Sequence, residues 1–352
     1  MPKAPPTRAR DLVRSLALLA ACALLAVACG GGDDRAATAV AGNDPAADAG
    51  DMEPGAFPVT IENCGRTQTF DAPPERAVTM NQHVTEILLA LGLADRMVGT
   101  AYMDSEIHPD LADAYRQVEV LAEKYPTREQ VLATEPDLVV GGFASAFGDT
   151  AAGDREALEA LGIGTYLTET YCPDREGPAS LDLVEADIAA LGAVFGVPDR
   201  ADALSAELRA EIDAVREATA GAEPVRVFVY DSGDERAFTA AGFEMTTYLI
   251  EAAGGRNVFD DVEAAFTEVS WEDIVDRDPD VVVILDYGDV TVAEKKDLLR
   301  AHPVASTLRA VQEERFVVIE LTDVVPGIRN SAAVELLGAG FLPDLVAPGS
   351  DN

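Results

Sequence analysis

Histidine is scarce in this chain of 352 residues, which holds three of them, His83, His108 and His302, far apart in sequence. A four-ligand pocket for a bare metal ion is hard to assemble from so few imidazoles, and none is expected. Cations are few as well. Lysine and arginine number 26 against 63 acids, a formal charge of −37, and lysine is almost absent beyond the N-terminus. That balance argues against nucleic acid as a partner. The acids are spread along the chain rather than gathered in one tail, the pattern of a halophilic adaptation in which salt screens their mutual repulsion. Catalytic signatures are missing too: no glycine-flanked serine elbow, phosphate loop or zinc-protease motif occurs, and Asp231-Ser232-Gly233 offers a serine with no histidine placed beside it. The chain reads as a binding module rather than an enzyme, with an extracytoplasmic sensor or scaffold as the other non-enzymatic form.

One long apolar run is present, Leu16 to Ala28, too short for a stable membrane span. Lys3, Arg8, Arg10 and Arg14 precede it against Asp11 alone, so residues 1–28 read as a secretory signal. Ala26-Val27-Ala28-Cys29-Gly30 resembles the end of a bacterial lipoprotein signal, which implies that Cys29 is diacylated and heads the mature chain. Ala26 departs from the leucine usual there; a plain secretory signal with an incidental cysteine is the alternative, and Cys22 is lost with the leader in either case. Residues 29–55 are alanine, glycine and aspartate without an aromatic residue, a flexible tether that reaches roughly 30 Å. Of four cysteines only Cys64 and Cys172 remain, and in an oxidising exterior such a pair is expected to be bridged; two thiols supply too few ligands for a metal site.

The foldable part repeats itself. Glu129-Gln130-Val131-Leu132 and Pro136-Asp137-Leu138-Val139-Val140 return as Glu272-Asp273-Ile274-Val275 and Pro279-Asp280-Val281-Val282-Val283, at a constant offset of 143 residues. Each copy reads as a helix end, a Pro-Asp turn and a buried β-branched strand, the unit of an α/β lobe. Thr85 to Gly92 similarly resembles Thr247 to Gly254, offset by 162. The fold class is therefore α/β: two Rossmann-like lobes, 56–179 and 221–352, joined by a long helical connection over 180–220 that is broken near Phe195-Gly196-Val197-Pro198, with a cleft between the lobes. A hairpin over Phe57–Ile61 and Thr67–Phe70 precedes the first lobe. Its strands are expected at Ala77–Met80, Met97–Thr100 and Leu138–Gly142, those of the second at Arg226–Tyr230, Val281–Val283 and Phe316–Ile319. Open α/β sheets bind ligands at the carboxyl ends of their strands. The second wall is expected to include Asp231-Ser232-Gly233, Phe243 to Thr246, Phe266-Thr267-Glu268 and Asp286-Tyr287-Gly288.

Aromatic residues at or beyond strand ends, Tyr102, Phe143, Phe147, Tyr230, Phe243 and Tyr287, are candidates to stack on a planar or chelate-bearing ligand, with core packing the alternative for each. Asn81 and His83 follow the first strand and are candidates for hydrogen bonds to it, although a lone histidine there serves equally as a packing residue. Arg329, after Pro326-Gly327, is the leading candidate to grip a carboxylate, phosphate or anionic chelate by a forked pair of bonds, a surface salt bridge being the alternative.

The order of Asn81 to Gly99, Glu129 to Val140, Gly254 to Phe259 and Ser270-Trp271-Glu272 resembles the solute-binding lipoproteins of bacterial ABC importers for iron-siderophores, haem and cobalamin, the class with a rigid helix between two lobes. The resemblance spans Pro58 to Pro343. It implies a lipid-anchored monomer that binds a bulky small molecule and serves a permease dimer with its ATPase subunits. It implies too that Glu129 and Glu272 form salt bridges with permease arginines, helix capping being the other role open to them. No intrinsic cofactor is implied; any metal arrives inside its chelator. The ligand stays open among siderophore, haem, cobalamin and a deazaflavin precursor.

Overall fold

The hairpin and both lobes take shape in a computed structural model that describes residues 57–347; the signal segment, Cys29 and the tether lie outside the described residues. Strands β1 (Val59–Asn63) and β2 (Arg66–Phe70) pair antiparallel across a turn in which Cys64 and Gly65 both take positive φ. The first lobe follows as β3 (Ala77–Met80), α1 (Gln82–Ala90), β4 (Met97–Ala101), α2 (Ala112–Tyr115), β5 (Val120–Ala122), α3 (Arg128–Ala133), β6 (Leu138–Gly141), α4 (Arg155–Glu159) and β7 (Gly164–Leu167). Its sheet is parallel in the order β5-β4-β3-β6-β7, so the direction of winding reverses at β3. That reversal opens a crevice at the carboxyl ends, where Asn81 and Gly142 emerge side by side.

The connection is a helix pair. Helix α5 (Leu181–Val194) ends at Phe195, the chain turns through Gly196 at φ +71°, and α6 (Pro198–Thr219) starts with proline at its first position, where the missing N–H costs nothing. The second lobe then runs β8 (Val225–Tyr230), β9 (Ala237–Ala240), α7 (Met245–Ala252), β10 (Gly255–Asn257), β11 (Phe266–Val269), α8 (Trp271–Arg277), β12 (Val281–Asp286), α9 (Val292–Ala301), α10 (Arg309–Gln312), β13 (Phe316–Glu320), α11 (Leu321–Val324) and α12 (Asn330–Phe341). Four strands form a parallel sheet, β10-β8-β12-β13, and β9 pairs with β11 as a separate antiparallel ribbon.

One apolar cluster passes through both lobes, from Ile87 and Leu88 of α1 through Ile188 of α5 and Ile212 of α6 to Leu249 of α7 and Leu337 of α12. Smaller clusters around Val131 and Leu158, and around Phe228 and Trp271, cover the other faces of the two sheets. Each fully buried leucine contributes about 1.5–3 kcal/mol, so a wide swing of the lobes that exposed this seam would be costly. Cys64 and Cys172 are joined, tying the hairpin turn to the segment after β7. Closing a loop of 108 residues restrains the unfolded chain by about 5 kcal/mol in the chain-entropy account.

The repeat has a physical basis. Thr127 caps α3 by accepting from the Gln130 backbone N–H, and Ser270, offset by the same 143 residues, caps α8 by accepting from that of Asp273. Both helices run into a left-handed residue, Glu135 at φ +48° and Asp278 at φ +46°. Pro136 and Pro279 follow and prevent either helix from continuing. Asp137 then accepts from the backbone N–H groups of Glu75 and Arg76 at 2.7 and 2.9 Å, and Asp280 accepts from that of Arg226 at 3.2 Å. Each Pro-Asp thus fastens a strand to the start of its parallel neighbour.

Candidate functional site

The carboxyl ends of the two sheets face a cleft of about 540 Å³. Met103, Asp104 and Ser105 after β4 and Lys124 after β5 line it from the first lobe. The second lobe lines it with Asp286 to Asp289 at the end of β12 and Glu320 to Thr322 at the end of β13. Of the residues singled out by sequence, Tyr287 lines this space directly and is 46% exposed. Burial raises its phenol pKa, and Asp104, Tyr102 and Asp231 push the same way, so groups of both lobes act on one ring.

Asn81 and Tyr102 come together at the rim. Tyr102 takes φ +63°, its ring lies 4.6 Å from that of Tyr125, and the Lys124 ammonium stands 4.5 Å above it. The Tyr125 hydroxyl donates to Asn81 Oδ1 at 3.1 Å. Asn81 takes φ +87°, an uncommon conformation for a side chain of this kind, fixed because its N–H donates to Ala101 and its carbonyl accepts from Thr85. Its Nδ2, on a residue 1% exposed, has no partner.

His83 and Phe143 meet in the seam between the lobes. Their rings are 5.1 Å apart edge to face, and Phe143 continues to Tyr171 at 4.5 Å. A Cβ at Gly142 of the first lobe would lie 2.3 Å from the His83 ring, an approach only glycine permits, and one at Gly327 of the second would sit tightly, 3.1 Å from His83 Cβ. Burial pushes the His83 pKa down to about 4, and the imidazole is neutral with Nε2 unpaired.

The structure gives Arg329 a partner within the chain. Its guanidinium grips Glu86 of α1 through Nε–Oε2 at 2.9 Å and Nη2–Oε1 at 2.6 Å, donates to the Glu106 carbonyl at 2.6 Å and approaches Asp323 at 3.5 Å. The fork expected for a ligand is filled by a carboxylate of the opposite lobe, 2% exposed against 11% for the arginine side chain. Ser105 and Thr322, 3.0 Å apart through their hydroxyls, and the Ala179 N–H donated to the Phe243 carbonyl at 3.0 Å add two more ties across the seam.

Of the nine ligand candidates only Tyr287 is on the cavity lining, and three of the other eight are core or seam residues with no place at its rim. Tyr230 is 1% exposed, packs beside Phe228 and Trp271 and donates its hydroxyl to Gly233 at 2.9 Å. Phe147 packs with the first lobe's Val131–Leu158 cluster and carries the Arg155 guanidinium over its ring at 5.6 Å. Phe243 lies in the seam, half-buried, and not along the cavity. The segment Phe266-Thr267-Glu268 is likewise away from it, since β11 pairs with β9 and Phe266 stacks on Phe238. Missed from sequence were Ser105, Lys124, Asp289, Glu320 and Thr322. The available signal was the strand-end rule, which flags Lys124-Tyr125 once β5 is recognised.

Glu129 and Glu272 occupy the same place, the second residue of α3 and of α8, and both are exposed without an ion-pair partner among the described residues. The Glu129 backbone N–H and the Thr127 hydroxyl hold the Glu129 carboxyl below the usual range, so it favours the helix start and still faces solvent. Among the described residues no group of three or more histidine, cysteine or acidic side chains is placed to hold a metal ion, and no helix is long and apolar enough to cross a membrane.

Residues 78–321 match the family model described as periplasmic binding protein. A vitamin B12-binding protein of Yersinia pestis (strain Pestoides F) is 26% identical over 212 residues, 60% of this chain and 69% of that protein. Among solved structures, a periplasmic binding protein from Veillonella parvula dsm 2008 superposes with a TM-score of 0.73 at 30% identity, over 80% of this chain and 96% of that one. An ABC-type Fe3+-hydroxamate transport system from Saccharomonospora viridis DSM 43017 superposes at 0.68 and 30% identity, over 82% and 100%. These relatives bind and transport rather than catalyse, and the chain is a binding protein, not an enzyme.

Proposed function

We propose that this chain, which belongs to the periplasmic binding protein family, captures a bulky ferric siderophore outside the cytoplasmic membrane and delivers it to an ABC import permease. The observation that carries the reading is the two-walled cleft at the strand ends, of a volume suited to a bulky small molecule, in a chain 30% identical to the Fe3+-hydroxamate transport protein of Saccharomonospora viridis. Tyr102 and Tyr287 offer aromatic faces, Asn81 and His83 offer unpaired polar atoms near the crevice, and Phe143 backs His83. The iron arrives within its chelate, so no protein ligand to the metal and no intrinsic cofactor is required. Ligand contacts to both walls favour the closed arrangement, and the continuous core keeps the change between open and closed small. Glu129 and Glu272 dock the loaded protein on the permease dimer and its ATPase subunits, while Cys29 anchors a monomer to the outer face of the membrane by lipid. Cobalamin is the second reading, favoured by the identity to vitamin B12-binding proteins.

Native mass spectrometry of the protein purified from its own host tests this. An added mass carrying iron in a non-porphyrin chelate is expected, and a retained corrinoid or porphyrin would overturn the siderophore assignment.

A further inference from the structure

The charge of the cleft differs from what an anionic ligand needs. Four carboxylates line it, Asp104, Asp286, Asp289 and Glu320, against one cation, Lys124. Among the described residues Asp104, Asp286 and Asp289 have no ion-pair partner, and Glu320 has only the Arg329 guanidinium at 4.0 Å. Lys124 stands over the Tyr102 ring. No arginine lines the space, although arginine is the residue suited to forked recognition of carboxylate or phosphate. The two nearby cations are committed elsewhere: Arg329 to Glu86, and Lys295, 2% exposed, to the carbonyls of Leu285 and Tyr287 at 2.6 and 3.1 Å. His83 is neutral and adds no charge. This is more than the general acidity of the chain, because the basic residues of the second lobe are paired along other edges, Arg226 and Arg309 on Asp280 and Arg300 on Glu314. Behind the lining, Asn81 Nδ2 on a residue 1% exposed has no partner, close to the Tyr125 hydroxyl that donates to its Oδ1.

Resting on the siderophore reading, we infer that the cleft selects ferric chelates that carry a cationic arm, with an ammonium group lying between Asp104 of the first lobe and Asp286 and Asp289 of the second against the face of Tyr287. The arm supplies the counter-charge that the chain withholds, and an aromatic face beside carboxylates suits an ammonium group. A tricatecholate chelate, with several negative charges, meets the opposite field and is disfavoured.

The test is calorimetry on the full chain with ferrioxamine B, a ferric trihydroxamate bearing a free ammonium, and its N-acetylated form, in which a neutral acetamide replaces that ammonium. Ferrioxamine B is expected to bind about tenfold more tightly at low salt, equivalent to about 1.4 kcal/mol, with the ratio shrinking toward one as molar salt screens the field. The double variant Asp286→Asn/Asp289→Asn is expected to lose most of the ratio, while Glu156→Gln/Glu217→Gln, the same charge change on exposed helix positions away from the cleft, is expected to keep it. Equal binding of the two chelates, a ratio indifferent to Asp286 and Asp289, or tighter binding of a ferric tricatecholate would each overturn the charge assignment and leave the siderophore reading standing. Binding of cyanocobalamin or hemin with no response to any ferric chelate would overturn both.

Discussion

The two lobes share a frame and differ at the cleft. Thr127 matches Ser270, Glu135 matches Asp278 and Asp137 matches Asp280, each pair in the same structural place. At the strand ends the balance differs. The first lobe presents Asp104, Ser105 and a lysine above the Tyr102 ring, whereas the second presents Tyr287 among three carboxylates, Asp286, Asp289 and Glu320. Duplicated residues therefore report how each lobe is built, and on the proposed reading they give a permease two equivalent carboxylates to meet. Cargo recognition resides in what the lobes do not share. They are joined by a pair that neither repeat encodes, Glu86 and Arg329.

Removing that joint gives the largest expected effect. In Arg329→Ala the Glu86 carboxylate stays buried with hydrogen bonds from Gln82 and the His108 backbone but without its counter-ion, a loss of about 3 kcal/mol measurable by urea unfolding. If Arg329 serves only to hold the lobes, ligand affinity measured under folded conditions falls no more than the altered lobe arrangement requires. A selective loss for anionic chelates would restore it as a ligand contact.

A smaller effect separates the lobes by pH. Asp187 of α5 is buried against the first lobe, accepts from the Tyr166 hydroxyl at 2.7 Å and from the Glu169 N–H at 2.9 Å, and burial raises its pKa to about 7. Because the folded state holds this proton while the unfolded carboxyl has released it above about pH 4, the group's contribution to stability is full below pH 4 and lost as pH rises to about 7. Asp187→Asn should flatten that part of the stability profile. An unchanged slope would assign the proton elsewhere.

Much of the frame was legible because its signals are local. β-branched runs gave the central strands, Pro-Asp gave the strand starts, and Gly92 and Gly254 stop α1 and α7 in the left-handed region at φ +71° and +83°. Strands β5, β7, β9, β10 and β11 escaped because three or four residues cannot establish a period and none of them has the adjacent β-branched pair that marks β3 and β6. The site was less legible for a different reason. Whether Tyr230 enters a cleft or a core depends on Trp271, and whether Arg329 is free depends on Glu86, 243 residues away. The positive φ of Asn81, held by its N–H bond to Ala101, and that of Tyr102 have no local signature.

The claim that the shared frame docks while the unshared ends bind is tested most directly by Glu129→Lys/Glu272→Lys. Both positions are exposed first-turn residues away from the cleft lining, so ligand affinity by calorimetry is predicted to stay within about twofold while uptake by whole cells falls at least tenfold. Undiminished uptake would contradict the account.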